Sequence, residues 1–262
     1  MTGERPLWKQ VVLPAEHGGW GLTLEPILLG LALVPSWAGL ALGLAAFTAF
    51  LVRTPLKLAL LDRRRHQWGP RSRLAARVAV LQLVVIAAGA GWAAVAADDL
   101  RWLVPVAIAA PFVGVELWFD VRSRGRRLVP ELCGSVGIAA VAAAIVLAGG
   151  RSAGLAAGAW LVLAGRSVGA IPFVRVQIVR LRRGEGSVRP SDVAQLAALA
   201  FGAAAVTLDR RVAAGLAGLV VLAVLQALWV RRPPTVAKVL GLRQMALGMA
   251  LVLLTAVGAW SW

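Results

Sequence analysis

LAARVAVLQLVVIAAGAGWAAVA, Leu74 to Ala96, decides the fold. After Arg77 no charge appears until Asp98. A helix rising ~1.5 Å per residue needs about 20 such residues to cross a hydrocarbon core of ~30 Å. The surrounding chain repeats this pattern. Further apolar stretches run over 20–34, 37–51, 102–119, 129–147, 154–174, 193–208, 212–230 and 239–260. The 262 residues are 60% hydrophobic with a mean hydropathy of +0.79. Such a composition suits a surface that faces lipid rather than water. The sequence therefore reads as an all-α, polytopic membrane bundle of about nine transmembrane helices. It forms one domain over 1–262, with 1–19 as an N-terminal segment and 20–262 as the bundle. Only Pro35 and Ser36 separate the first two stretches, so a re-entrant pair remains an alternative there.

Charge sets the orientation. Of the 28 lysines and arginines, 23 fall on the segments that share a side with the N-terminus. Four (Arg101, Arg151, Arg210 and Arg211) fall on the opposite loops, and Arg166 lies within a span. Basic loops stay in the cytoplasm, so the N-terminus is expected inside and the C-terminus outside a cytoplasmic (inner) membrane. A net charge of +16 then reads as attraction to anionic headgroups, making membrane lipids the first partners. No compact basic domain or recognition motif points to nucleic acid. Trp20, Trp37, Trp102, Trp118, Trp229, Trp260 and Trp262 fall near span ends, where interfacial rings anchor. The lone Cys133 has no disulfide or zinc partner in sequence, and the first residues lack a secretory apolar core.

Charge inside a span is costly unless it is paired or faces water, so such residues mark function or ion pairing. Eight qualify: Glu25, Arg53, Lys57, Glu116, Asp120, Glu131, Arg166 and Arg175. All eight lie toward the expected cytoplasmic side, which suggests a polar cavity open there and closed outside. Arg53/Lys57 and Glu116/Asp120 are i, i+4 pairs, each on one helix face. One face is cationic and the other anionic, and the two can meet across a cavity. Arg166 and Arg175 are nine apart and fall on opposite faces, with Pro172 between them. Arginine stays charged and grips phosphate or carboxylate bidentately. Arg53, Lys57, Arg166, Arg175 and Arg180 are thus candidate receptors for an anionic head whose tail runs between spans. Structural ion pairs or snorkelling side chains are the competing reading.

Ahead of the first span stands PAEHGGWG, Pro14–Gly21. Glu16 and His17 sit at the level of the charged cluster. His17 titrates near neutrality and suits acid–base work, as do Glu16, Glu25 and Glu116. The glycines permit close backbone approach. The alternative is a plain loop ending at an interfacial tryptophan.

Three segments carry a family resemblance: LPAEHGGWGLTLEPILLGLAL (13–33), LVRTPLKLALLDRRR (51–65) and GRSVGAIPFVRVQIVRLRRGE (165–185). In order and spacing they resemble the YwiC-like family of bacterial multi-pass membrane proteins. More distantly, the chain is similar to UbiA-type intramembrane prenyltransferases. That resemblance implies nine helices, a cytoplasm-facing cavity and motifs after the second and sixth helices. Those enzymes hold magnesium and a prenyl diphosphate on aspartate-rich motifs. Here the corresponding stretches carry Arg53, Lys57 and Asp62, then Arg166, Arg175 and Arg180, with no NDxxD-like cluster. Neither magnesium, another metal nor a cofactor is expected. The expected function is binding of an amphipathic phosphate- or diphosphate-bearing ligand, with an isoprenoid among the candidates. A metal-independent prenyltransferase-like enzyme and a non-catalytic transport or accessory subunit remain open as alternatives.

Overall fold

A computed structural model describes residues 8, 11, 19–122 and 127–261, of Val121 the backbone alone. Among these residues nine α-helices and one short 3-10 turn follow one another, with no strand. They are α1 (Gly19–Leu33), α2 (Trp37–Arg64), α3 (Pro70–Ala96), α4 (Leu103–Val121) and α5 (Leu128–Ala148). After these come α6 (Ala153–Arg183), α7 (Arg189–Leu208), α8 (Ala213–Trp229) and α9 (Ala237–Trp260). Eight of them, α2 to α9, are long and apolar enough to cross a membrane, the turn Arg210–Val212 running into α8. The protein is an all-α, multi-pass membrane protein.

Local chemistry sets the helix ends. Ser36 caps α2 by accepting the Gly39 N–H at 3.0 Å, and Ser152 caps α6 by accepting the Leu155 N–H at 3.3 Å. Pro70 and Pro190 occupy first turns, where a missing N–H costs nothing. At the end of α6 the chain turns through Gly184 at φ 79°, and the Gly184 N–H closes on the Arg180 carbonyl. Arg63 and Arg64 close α2, and Arg180, Arg182 and Arg183 close α6, complementing the negative helix ends.

The second and sixth apolar stretches end at 51 and 174 in sequence, yet α2 runs on to Arg64 and α6 to Arg183. Their basic segments are helix, not loop. Each helix passes through an interior proline, Pro55 or Pro172, which lacks an N–H for the carbonyl one turn back. Membrane helices tolerate this because packed neighbours support the broken turn. At ~1.5 Å per residue α2 and α6 reach about 42 and 46 Å, beyond the ~30 Å core. By contrast α1 has 15 residues, or about 22 Å, and is short for a span.

Sequential helices pack as hairpins: α2 with α3, α4 with α5, α6 with α7 and α8 with α9. The α1 helix lies inside the bundle, against α5 and α9 and also touching α2 and α6. Small residues let this centre close: Ala139, Ala142, Ala143 and Ala144 of α5 and Ala156 and Ala159 of α6 are buried in one cluster with Leu29 and Ile145. At the rim, Leu81, Val84, Trp92 and Val95 of α3 and Val104 and Ile108 of α4 point outward, as a lipid-facing surface requires. Trp37, Trp118 and Trp260 are exposed, in keeping with interfacial anchoring, whereas Trp102 is buried.

Candidate functional site

Three groups of charges gather within the helices. The first joins α2 to α4. Arg53 Nη1 meets Glu116 Oε1 at 2.6 Å, and Arg53 Nη2 meets Asp120 Oδ2 at 2.7 Å. Lys57 Nζ lies 3.4 Å from Asp120 Oδ1. The i, i+4 spacing did place each pair on one face, and the two faces touch directly instead of lining a gap. Glu116 reaches this position over Gly134 of α5, where any Cβ would overlap the Glu116 carboxylate. The second group joins α6 to α5, Arg175 Nη1 meeting Glu131 Oε2 at 2.9 Å.

The third group is buried. Arg166 of α6 is 3% exposed and Glu25 of α1 is 2% exposed. Arg166 Nη2 donates to the Gln244 carbonyl of α9 at 2.6 Å and lies 3.5 Å from Glu25 Oε1. Among the described residues its Nε and Nη1 have no hydrogen-bond partner, nor does either side-chain amide atom of Gln244. Gly248 of α9 makes room for Glu25, because a Cβ there would occupy the Glu25 carboxylate. A guanidinium carries five donors, and this one is incompletely matched in a low-dielectric interior.

Nine residues turn a helix through half a circle, so Arg166 faces α9 and α1 while Arg175 faces α5. Phe173, Gln177 and Arg180 return to the Arg166 side of α6, within about 60° of one another at 100° per residue. Gln177 Nε2 donates to the Trp229 carbonyl at 3.0 Å, and its Oε1 has no partner among the described residues. Arg180 Nη1 donates to the Val230 and Arg232 carbonyls, the latter at 3.3 Å. This stripe climbs about 21 Å from Arg166 to Arg180 along α8 and α9 and emerges at the arginine-rich end.

Of the residues singled out in sequence, Glu25 and Arg166 come together, as do Arg53, Lys57 and Glu116. Arg175 of α6 stands apart, facing α5, and Arg180 caps the end of α8. Glu16 and His17 lie outside the described residues. A search for charge alone overlooks four buried glutamines. Gln195 Nε2 donates both to the Gly169 carbonyl and to Gln226 Oε1, each at 3.0 Å, which ties α7 to α6 and α8. With Gln177 and Gln244 they make a set of one buried glutamine on each of α6, α7, α8 and α9. Its signal in sequence was glutamine inside apolar spans, where polar side chains are expensive. Among the described residues no three His, Cys, Asp or Glu side chains gather into a metal-binding group.

Residues 13–146 match the model of a protein family described as YwiC-like protein. The match covers half of the chain, through α1–α4 and most of α5, and stops before α6. No curated protein and no solved structure matches the chain.

Proposed function

The chain belongs to the YwiC-like family, and from that premise we propose that it binds an amphipathic anion at the arginine-rich end of its bundle. In this reading the protein sits in the cytoplasmic membrane with that end inside. The ligand bears a phosphate or diphosphate, and an isoprenoid chain is the leading candidate for its tail. One observation carries the proposal: Arg166 is buried with two guanidinium nitrogens that have no partner among the described residues, beside a glutamine amide that has none either. A purely structural ion pair is stable when its geometry is close and its remaining donors are bonded. Arg166 and Glu25 meet neither condition, standing 3.5 Å apart.

A second reading, a non-catalytic accessory subunit, is favoured by the closed pairs of Arg53, Lys57 and Arg175 with carboxylates. Direct binding decides between them. Dodecyl phosphate should bind the detergent-purified protein, and Arg166→Lys should weaken that binding while leaving the protein inserted. Binding unchanged in Arg166→Lys would remove Arg166 from the site, and no binding by the wild type would favour the accessory reading. For orientation, a cysteine replacing Arg63 in a Cys133→Ala background should resist impermeant maleimide added to intact cells. Labelling from outside would invert the bundle.

A further inference from the structure

At the arginine-rich end, α6, α8, α9 and the α8–α9 connection enclose a cavity of about 370 Å³. That volume falls within the ~300–1,000 Å³ typical of small-molecule sites. Its walls divide by chemistry. Phe173, Trp229, Pro233 and Leu240 supply apolar surface, and Arg232 and Arg243 supply charge. Among the described residues no acidic side chain lines it. The Arg243 guanidinium stands 5.6 Å from the Trp229 ring centroid, at the outer limit of a cation–π contact. Arg180 pins the rim from below by donating to the Val230 and Arg232 carbonyls. Gln177, 3% exposed, adds the unpartnered acceptor Oε1 to the lining.

The contrast with other arginines is chemical. Arg53, Arg175 and Arg231 each have a carboxylate partner. Among the described residues, no carboxylate lies within ion-pair distance of Arg180, Arg232 or Arg243. Two guanidinium charges, those of Arg232 and Arg243, therefore line one cavity, with that of Arg180 bonded to the Arg232 carbonyl beside it. A phosphodiester headgroup carries one negative charge, too few to balance them. A phosphomonoester, with its second pKa near 6, or a diphosphate brings two or more near neutral pH. Guanidinium forks suit the terminal oxygens of such a group.

Resting on the function proposed above, we infer that this cavity is the headgroup site for a terminal phosphomonoester or diphosphate carried on an apolar chain. Arg232 and Arg243 grip the phosphoryl oxygens, with Arg180 holding the Arg232 backbone in place. Phe173 and Trp229 receive the first carbons of the chain. An acceptor at Gln177 Oε1 suits a protonated phosphoryl oxygen or a hydroxyl.

The test places a reporter in the wall: Thr235→Cys in a Cys133→Ala background, labelled by maleimide in detergent. Thr235 lines the cavity and is partly buried. Dodecyl phosphate should slow labelling about tenfold, and Arg243→Gln or Arg232→Gln should each weaken its binding about tenfold. Dodecylphosphocholine, a diester analogue, should protect poorly. Equal protection by inorganic diphosphate would overturn the amphiphile and leave a free-phosphate site. Equal protection by dodecylphosphocholine would overturn the monoester specificity. Should both arginine variants and wild type bind dodecyl phosphate equally, with Thr235→Cys unprotected, this cavity is not the site, while the broader function stands. If wild type binds no dodecyl phosphate at all, both proposals fall.

Discussion

Two stretches of this chain begin alike and end differently. RTPLKLALLDRRR in α2 and IPFVRVQIVRLRR in α6 each hold a proline, a basic residue two or three positions on and a terminal arginine cluster. Both are buried at the proline and both continue as helix beyond it. In α2 the basic side chains close on carboxylates of α4: Arg53 reaches two acids and Lys57 shares one of them. In α6 the charges on the Arg166 face meet carbonyls and a single distant carboxylate. The same residue types thus give a clasp in one helix and an under-matched cationic stripe in the other. What separates them is the neighbour. Across from α2 stand Glu116 and Asp120 one turn apart, whereas α8 and α9 offer α6 glutamines and backbone oxygen.

That contrast can be broken from several sides. The largest effect is expected for Gly248→Val, which drives a branched side chain into the Glu25 carboxylate and should abolish recovery of folded protein. Fluorescence-detected size exclusion would show it as loss of the monodisperse peak. Next is Glu25→Ala, which leaves Arg166 buried without its only carboxylate among the described residues. Stripping one partner from a buried pair costs about 3–5 kcal/mol, and the double variant Glu25→Ala/Arg166→Met should recover much of that in thermal unfolding. Glu116→Gln weakens the α2–α4 clasp where Arg53 keeps Asp120, so about 1–2 kcal/mol is expected, with binding of dodecyl phosphate unchanged. A loss of binding there would erase the distinction between clasp and stripe.

The smallest effect lies at the far end of the bundle. The Asp99 carboxyl is held below the ordinary aspartate range, first by the Arg101 backbone N–H and then by its guanidinium. A carboxyl lowered in the folded state stabilises above its unfolded pKa, ~3.9, and loses that contribution as pH falls through the folded value. Asp99→Asn should lower the melting temperature slightly at neutral pH and leave it unchanged at the acid end, flattening the acid limb of the profile.

Nine apolar stretches were legible in sequence because apolar length is the strongest signal a membrane chain emits, and the boundaries of α3, α4, α5, α8 and α9 follow it closely. The ends of α2 and α6 were not legible. Arginine and proline signal a loop in isolation, yet here they ride on helices that outrun the hydrocarbon. In the charged groups, spacing foretold which residues share a face but not which neighbour each face would meet. Arg175 meeting Glu131, and Arg166 meeting the carbonyl of Gln244, are tertiary facts. Gly134 and Gly248 were silent as well, since a glycine that clears space for a carboxylate looks like any other glycine in a small-residue helix.

The central claim is that the α6 stripe holds a phosphate-bearing amphiphile. It is tested most directly by native mass spectrometry of gently extracted protein, wild type beside Arg166→Ala. A bound phosphate-bearing lipid or isoprenoid is expected on the wild type and should be lost from the variant, while the variant remains folded and inserted. A folded wild type that carries no specific adduct across several mild detergents, or a variant that keeps the same adduct, would contradict it.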